Sequence, residues 1–529
     1  MYIGDKGWAA AASKEWDVVV VGAGAVGLIV SVSLARAGRQ VLLMESGARE
    51  PTTEASELND ILVTGRPHLG ATHGRARVVG GTTTLWGGQL TRFVPYDFEA
   101  REIMADCEWP LHYEEIASAY ANVAKMLDLD RRYLSDENLQ SKVKYDRSKD
   151  TSGCEIYFTR WLRDPNLARW FADDLQNGAT MTVAPKCHAS QLVCGPDGAQ
   201  ITEIEAVCGD GVRRKFRARD VVLACGTIEI SRLLLLSARK SHNVAWAQNS
   251  NIGRYFQDHL DLVFGQVELK SRKAFSDRFE NVVIDGHKYQ PKVRLRTSVL
   301  RELGRLNIAC TVRFDSSIGD DIQMLKQFVR SLLTGSRINK PWKSLMRIAA
   351  LSHVWFPLIW RYVRHRRILA IADRGISVIA HCEQRPLKES RITLDADKTD
   401  RFGDPLARLH WAVDETLQMK SLQSFVAELG TFLRDEHGAK LDVLPGISAG
   451  DPAVLTAGTD SYHQCGGARM AFTAENGVVD SNCKVFGTEN LYVAGAAVFP
   501  SSSFANPTYT AMALAHRLSD HLIERHRPT

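Results

Sequence analysis

The stretch Ser461–Met470 reads SYHQCGGARM, and His463 is the residue in it with chemistry to offer. A neutral imidazole can accept a proton and return it near working pH, which serine, leucine or an amide side chain cannot do. No Cys or Asp partner stands at a metal-ligand spacing, so no metal is expected. The residue types leave His463 as a proton-accepting base or a packed ring. Cys465 reads as a small packed residue, because nothing adjacent supplies the cation or helix N-terminus that lowers a thiol pKa. The other histidines, His259 in FQDH among them, read as structural.

A second constellation lies near the start of the chain, in WDVVVVGAGAVGLIVSVSLARAGRQVLLMES. Four consecutive valines predict a buried parallel strand, and Gly22, Gly24 and Gly27 supply G-x-G-x-x-G where that strand turns into a helix. Gly22 permits the tight turn, Gly24 lets a pyrophosphate approach the backbone, and Gly27 lets helix and strand pack closely. Glu45 closes the next strand, placed to accept hydrogen bonds from the ribose hydroxyls of an adenosine. Strand, helix and acid agree on a dinucleotide, without separating NAD from FAD.

Three further stretches separate them: VVGGTTTLWGG (Val78 to Gly88), DVVLACGTIEISRLLLLS (Asp220 to Ser237) and the segment from GVVDSNCKVFGTENLYVAGAAVFP through FANPTYTAMALAHRL. With WPLHYEEIASAY from Trp109 and NIGRYFQDH from Asn251, and in the same order, they resemble the FAD-binding motifs of the glucose–methanol–choline (GMC) oxidoreductases. The resemblance implies an α/β fold: a Rossmann-like FAD-binding domain assembled from discontinuous segments, with an inserted α+β substrate-binding domain of antiparallel sheet and helices. The expected division is 1–100, 186–262 and 452–529 for FAD, and 101–185 with 263–451 for substrate.

The same resemblance assigns roles. Gly80 and Gly81 let backbone approach the flavin, Thr82 and Thr83 offer hydroxyls, and Trp86 belongs to the same loop. Gly495 and Ala496 end a strand in small residues, while Pro507 and Thr508 open a helix whose positive end faces the flavin. Some relatives attach the flavin through a histidine immediately before the tryptophan; Leu85 stands there, which implies non-covalent FAD. His463 occupies the position of the base, and Asn506, 43 residues on, that of the partner that positions the alcohol. Asn506 before Pro507 is also what a helix N-cap looks like.

The wording HQCGGARM and KVFGTENL is most similar to the sugar-oxidising members, pyranose oxidases and aminoglycoside dehydrogenases. The expected reaction is oxidation of a sugar or glycoside hydroxyl to a ketone or aldehyde, with O2, a quinone or another carrier reoxidising the flavin. Alternatives are a non-sugar alcohol, a hydroxynitrile lyase-like use of the pocket, or a membrane-docking flavoprotein.

Composition bounds the rest. A chain of 529 residues is too long for one compact core, and its net charge of +5 makes no field suited to nucleic acid. Ten scattered cysteines without a CxxC pair read as reduced thiols of a cytoplasmic protein, and no apolar run is long enough for a secretion signal or a bilayer span. One region departs from the average: residues 322–372 hold ten Lys or Arg, no Asp or Glu, and five Trp, Phe or Tyr after Pro341. It reads as a peripheral surface on the inner membrane, or else as a lid or oligomer contact.

Overall fold

A computed structural model describes residues 1–4, 7–129, 136–143, 153–319 and 349–526, with Asp321, Met324, Trp342 and Met346 singly. Most of 322–348 therefore lies outside the described residues, and within 322–372 the described secondary structure is chiefly the helix Ser352–His365.

The valine run forms the strand Glu15–Val21, flanked in parallel by Val41–Met44 and Arg213–Leu223, with Val18 opposite both Val41 and Asp220. Met181–Ala184 extends this sheet beyond Val41–Met44, and Leu491–Val493 pairs in parallel with Arg213–Leu223. The helices Ala25–Arg36 and Pro507–Arg525 pack together, so that Val18 to Val21 are all buried. Burial on both faces explains why the strand is uniformly apolar.

The second large sheet is antiparallel, in the order Ala439–Val443, Leu260–Leu269, Gly375–Cys382, Ile308–Asp315, His287–Leu295, Cys154–Trp161 and Gln89–Leu90. Its strands alternate. Ile156, Val293, Cys310, Val378 and Leu262 enter one core, which also takes Leu422, Phe425, Leu429, Phe432 and Leu433 of the helix Glu415–His437. Each fully buried side chain of this kind contributes about 1.5–3 kcal/mol. Asp414 caps that helix by accepting from Leu417 N, and Gly438, at φ 58°, ends it. Polar residues then occupy the alternate positions, including Thr159, Gln290, Lys292, Thr311, His381 and Asp261.

This is the mixed α/β architecture that the sequence implies, but the packing divides the 101–185 stretch differently. Met181–Ala184 joins the parallel sheet, and the helix Glu114–Met126 packs on Pro507–Arg525. Both bury their apolar side chains in the core of the nucleotide side, whereas Cys154–Trp161 pairs with the antiparallel sheet. Ile61–Gly65, from the expected FAD segment, pairs with Pro405–Trp411, and Arg391–Thr399 completes that third small sheet.

Candidate functional site

A cavity of about 680 Å³ opens where the parallel strands end. Gly22, Glu45, Ala224 and Ala494 immediately follow four of those strands and line it. Gly22 has φ +107°, and a Cβ there would sit 2.7 Å from Ala224 O. Gly24 faces open space, so the cavity reaches the main chain itself. Three helices begin at this cavity, Ala25–Arg36, Thr227–Lys240 and Pro507–Arg525, and the side chain of none of their N-cap residues (Gly24, Gly226, Asn506) caps them. Three uncapped N-termini present free N–H groups and positive dipole ends to one volume, which fits a dinucleotide with a pyrophosphate and a flavin that becomes anionic on reduction.

Of the residues expected around a cofactor, Gly22, Gly24, Glu45, Gly81, Thr82, Thr83, Trp86, Gly495, Ala496, Pro507 and Thr508 line this cavity, together with His463 and Asn506. Gly27 and Gly80 stand behind it. A Cβ on Gly27 would lie 1.9 Å from Gly22 O, so Gly27 permits the helix–strand approach. Gly80, at φ +101°, turns the loop and donates its N–H to Ala23 O. Glu45 differs in detail from expectation: its oxygens accept from Ala23 N at 2.9 Å and Gly47 N at 2.8 Å, so it first holds the glycine turn. Burial raises its pKa, and these N–H groups and Arg77 pull it back. Its remaining lone pairs are what a ribose could use.

The loop before Gly80 brings residues that the sequence reading passed over. Arg75 and Arg77 line the cavity and pair with Glu229 at 2.7 and 2.8 Å. Those cations, with Arg232, hold the buried Glu229 carboxyl well below its usual range. The signal was R-x-R immediately ahead of VVGG. His188 also lines the cavity, pushed down to about 3 by burial and by the field of Arg77 and Arg232, and is neutral.

At the cavity's other side His463 contacts two side chains. Its Nδ1 lies 3.0 Å from His259 Nδ1, and its Nε2 lies 2.9 Å from Asn506 Nδ2. Asn506 Oδ1 accepts from Thr91 Oγ1 at 3.3 Å, and the amide makes no cap hydrogen bond, so the N-cap reading fails for its side chain. The neighbours also fix the tautomers. His259 Nε2 faces Ser502 O at 3.4 Å, and a carbonyl only accepts, so that nitrogen carries hydrogen. His259 Nδ1 then accepts from His463 Nδ1–H, which leaves the lone pair of His463 on Nε2, toward Asn506 and the cavity.

His259 is thus a member of the site, against its structural reading. Beneath both imidazoles sits Asp258, fully buried, whose Oδ1 accepts from His259 N at 2.7 Å, His463 N at 2.9 Å and Ser461 N at 3.2 Å. Its Oδ2 faces His68 Nε2 at 3.1 Å, and His68 Nδ1 accepts from Ala71 N, so the proton of His68 points at Asp258. His68, Asp258 and Asp460 cluster closely enough for a metal. Asp460 is however occupied by Leu69 N and Gly70 N, while His68 Nε2 and Asp258 Oδ2 face each other without a well-formed hydrogen bond. Burial, and next the adjacent His259, push His463 down to about 3, while Asp258 and Asp261 oppose them.

Strand ends around a cavity with converging helix N-termini, and a neutral imidazole on its wall, are the features a flavin-dependent oxidoreductase needs. Residues 17–288 match the family described as FAD dependent oxidoreductase, and residues 386–515 match the C-terminal domain of the GMC oxidoreductases. The chain belongs to the FAD dependent oxidoreductases, carries a GMC oxidoreductase C-terminal domain, and is an FAD-dependent enzyme acting on alcohols. It is similar to 2-methyl-1,2-propanediol dehydrogenase of Mycolicibacterium austroafricanum, 22% identical over 97% of this chain and 96% of that one. Pyranose 2-oxidase of Emericella nidulans is 22% identical over 84% of this chain and 71% of its own. A fungal aryl-alcohol oxidase structure superposes with a TM-score of 0.59 at 16% identity, covering 97% of this chain and 99% of the other.

Proposed function

We propose that this enzyme oxidises a hydroxyl of a sugar or glycoside to a ketone or aldehyde, with His463 as the base. The observation that carries the reading is the pairing of His463 Nε2 with Asn506 Nδ2 at 2.9 Å on the cavity wall. An alcohol oxygen inserted there would accept from Asn506 and donate to Nε2, replacing one hydrogen bond by two. Bound FAD supplies the hydride acceptor; the side chains orient the alcohol, take its proton and exclude water. The wall beyond suits a polyhydroxylated ring. Trp86 and Trp161 offer aromatic faces, and Gln89, which donates to Thr159 Oγ1 at 2.6 Å and Gln290 Oε1 at 2.8 Å, offers an amide. Pyranose 2-oxidase among the relatives agrees with that class. Anaerobic mixing with a panel of glycosides and aliphatic and aryl alcohols tests it: bleaching by glycosides at the lowest concentrations is expected, and bleaching by the simple alcohols alone would reject it.

FAD is held here without a covalent bond. Leu85, beside Trp86, has no nucleophilic atom; of the thiols that also line the cavity, the contact with Cys208 and next burial raise Cys187, and burial raises Cys225 to about 12, which keeps both protonated. Acid precipitation should release all the yellow colour.

The helix Ser352–His365 suits an anionic membrane surface. Phe356, Ile359, Trp360 and Val363 are 74, 62, 59 and 62% exposed, one apolar stripe at helical spacing, with Arg364 and Arg366 exposed beside it. A second copy would bring the same carboxylate-free segment against itself, cation facing cation, whereas anionic lipid contributes about 1 kcal/mol per basic residue. Among the described residues no helix is long and apolar enough to cross a membrane. Co-sedimentation with phosphatidylcholine vesicles only when they contain phosphatidylserine, lost at high salt, is expected; a concentration-dependent dimer without vesicle binding would overturn this placement.

A further inference from the structure

Resting on His463 as the base, we propose that His259 completes a two-imidazole proton relay, in which His463 passes a proton inward to His259 as it takes one from the substrate. The atoms balance as follows. The substrate O–H bond breaks and an N–H bond forms at His463 Nε2; the Nδ1–H bond of His463 breaks and an N–H bond forms at His259 Nδ1. His463 ends neutral as the other tautomer. His259 ends as an imidazolium with hydrogen on both nitrogens, its Nε2–H still directed to Ser502 O. The substrate's hydride leaves for the flavin, as in the proposed reaction, and the relay runs in reverse to release the proton to the electron acceptor when the flavin is reoxidised.

Four features argue for transfer rather than a passive contact. The Nδ1 to Nδ1 distance of 3.0 Å is a hydrogen bond between like bases, for which moving the proton costs little in intrinsic affinity. The direction of the bond is fixed by Ser502 O, so the proton to be moved already lies between the rings. His259 is 1% exposed, so the receiving ring is shielded from bulk water. Finally, Asp258 holds the backbones of both residues with a single oxygen and brings a buried negative charge to the receiving end.

The surrounding charges act on both rings. Asp258 and Asp261 raise the proton affinity of both rings, burial lowers it, and His381 lowers it too. His381 is itself held by Asp261 at 2.8 Å and contacts Thr311 Oγ1 at 2.7 Å and Lys292 Nζ at 3.3 Å, and burial lowers Lys292 to about 8. His68 Nε2 lies 3.1 Å from Asp258 Oδ2 on the far side of that carboxylate. With both carboxylates in place, burial and next His259 still push His463 to about 3, so an imidazolium is a poor resting state for that ring; passing its Nδ1 proton to His259 leaves His463 neutral.

The test uses the FAD-loaded full chain. His259→Gln keeps an acceptor for His463 Nδ1–H but cannot take the proton. Flavin reduction at saturating substrate should slow by roughly 10- to 100-fold, with FAD content and substrate affinity within about twofold of wild type. The proton inventory in H2O–D2O mixtures should be curved in wild type, for two protons in flight, and linear in His259→Gln. In the resting enzyme a far-downfield imidazole N–H resonance should be present and should vanish in both His259→Gln and His463→Ala. His259→Asn serves as a second variant if the first folds poorly. A linear wild-type inventory, an unchanged rate in His259→Gln, or a slowed variant that stays curved would each overturn the relay while leaving His463 as the base. A wild-type rate in His463→Ala would instead reject the base.

Discussion

The two ends of the cavity are built in opposite ways. At the nucleotide end, Gly22, Gly24 and Glu45 lie within one strand–helix–strand unit, and the main chain does most of the work: uncapped N–H groups, a left-handed glycine, and a carboxylate that ties the turn. At the histidine end, Asn506, His463, His259, Asp258 and His68 come from four separate stretches, and side chains do the work. Backbone sites tolerate the loss of one side chain, because neighbouring N–H groups remain. A side-chain site has less reserve, since the task of a lost ring falls to no equivalent neighbour. The comparison predicts steep kinetic effects at one end and graded binding effects at the other.

The largest effect should follow His463→Ala, which is expected to slow anaerobic flavin reduction by roughly 10²- to 10⁴-fold with FAD content retained. Stopped-flow at saturating substrate measures it, and a loss of FAD in parallel would erase the contrast between the two ends. Next comes Glu45→Ala, expected to weaken FAD retention by about 1.5–3 kcal/mol, roughly 10- to 100-fold in dissociation constant. Equilibrium dialysis of released flavin reads this, and an equal fall in the reduction rate of the loaded enzyme would blur the division. Asn506→Ala should cost roughly 10-fold in reduction rate with a raised substrate dissociation constant, because the amide orients the alcohol but takes no proton.

Two pH effects are smaller and sharpen the same contrast. His463 is pushed to about 3, so it stays neutral through mildly acid pH, and the limiting reduction rate should remain flat between pH 8 and about 5.5, where a histidine of ordinary pKa near 6.5 would already show a fall. His437 packs against Phe275, Phe279 and Phe432, and burial lowers it to about 4. Its folded pKa lies below its unfolded one, so its contribution to stability is intact above about 6.5 and is lost as pH falls toward 4. Melting temperature should therefore drop across that window, and His437→Phe, remote from either end, should flatten part of the slope without altering the rate profile.

The same contrast explains what could be read before the structure. The glycine turn and Glu45 are encoded within about two dozen residues, so periodicity and spacing suffice. His463 and Asn506 were legible only through the family's wording, because no local pattern joins residues that far apart. His259 was missed for a specific reason. It meets His463 because Gln257 and Cys465 exchange backbone hydrogen bonds and Leu260 pairs with Asp460, an antiparallel contact between chain segments some two hundred residues apart. The acid–histidine pair in FQDH, just ahead of the strand Leu260–Leu269, was the available signal. The same limit applies to Met181–Ala184, whose four residues suit either sheet by composition and join the parallel one through their register with Val41–Met44.

The strand Leu491–Val493 adds to the parallel sheet from far along the chain, and its end supplies the Ala494–Ala496 wall of the cavity. A polypeptide synthesised only to residue 450 already holds the glycine turn and most of the antiparallel sheet, yet it lacks His463, Asn506 and the helix that presents its positive end to the cavity. Flavin capture on the ribosome would therefore meet half a pocket. A complete pocket waits for the segment that carries Leu491–Val493 and Pro507–Arg525.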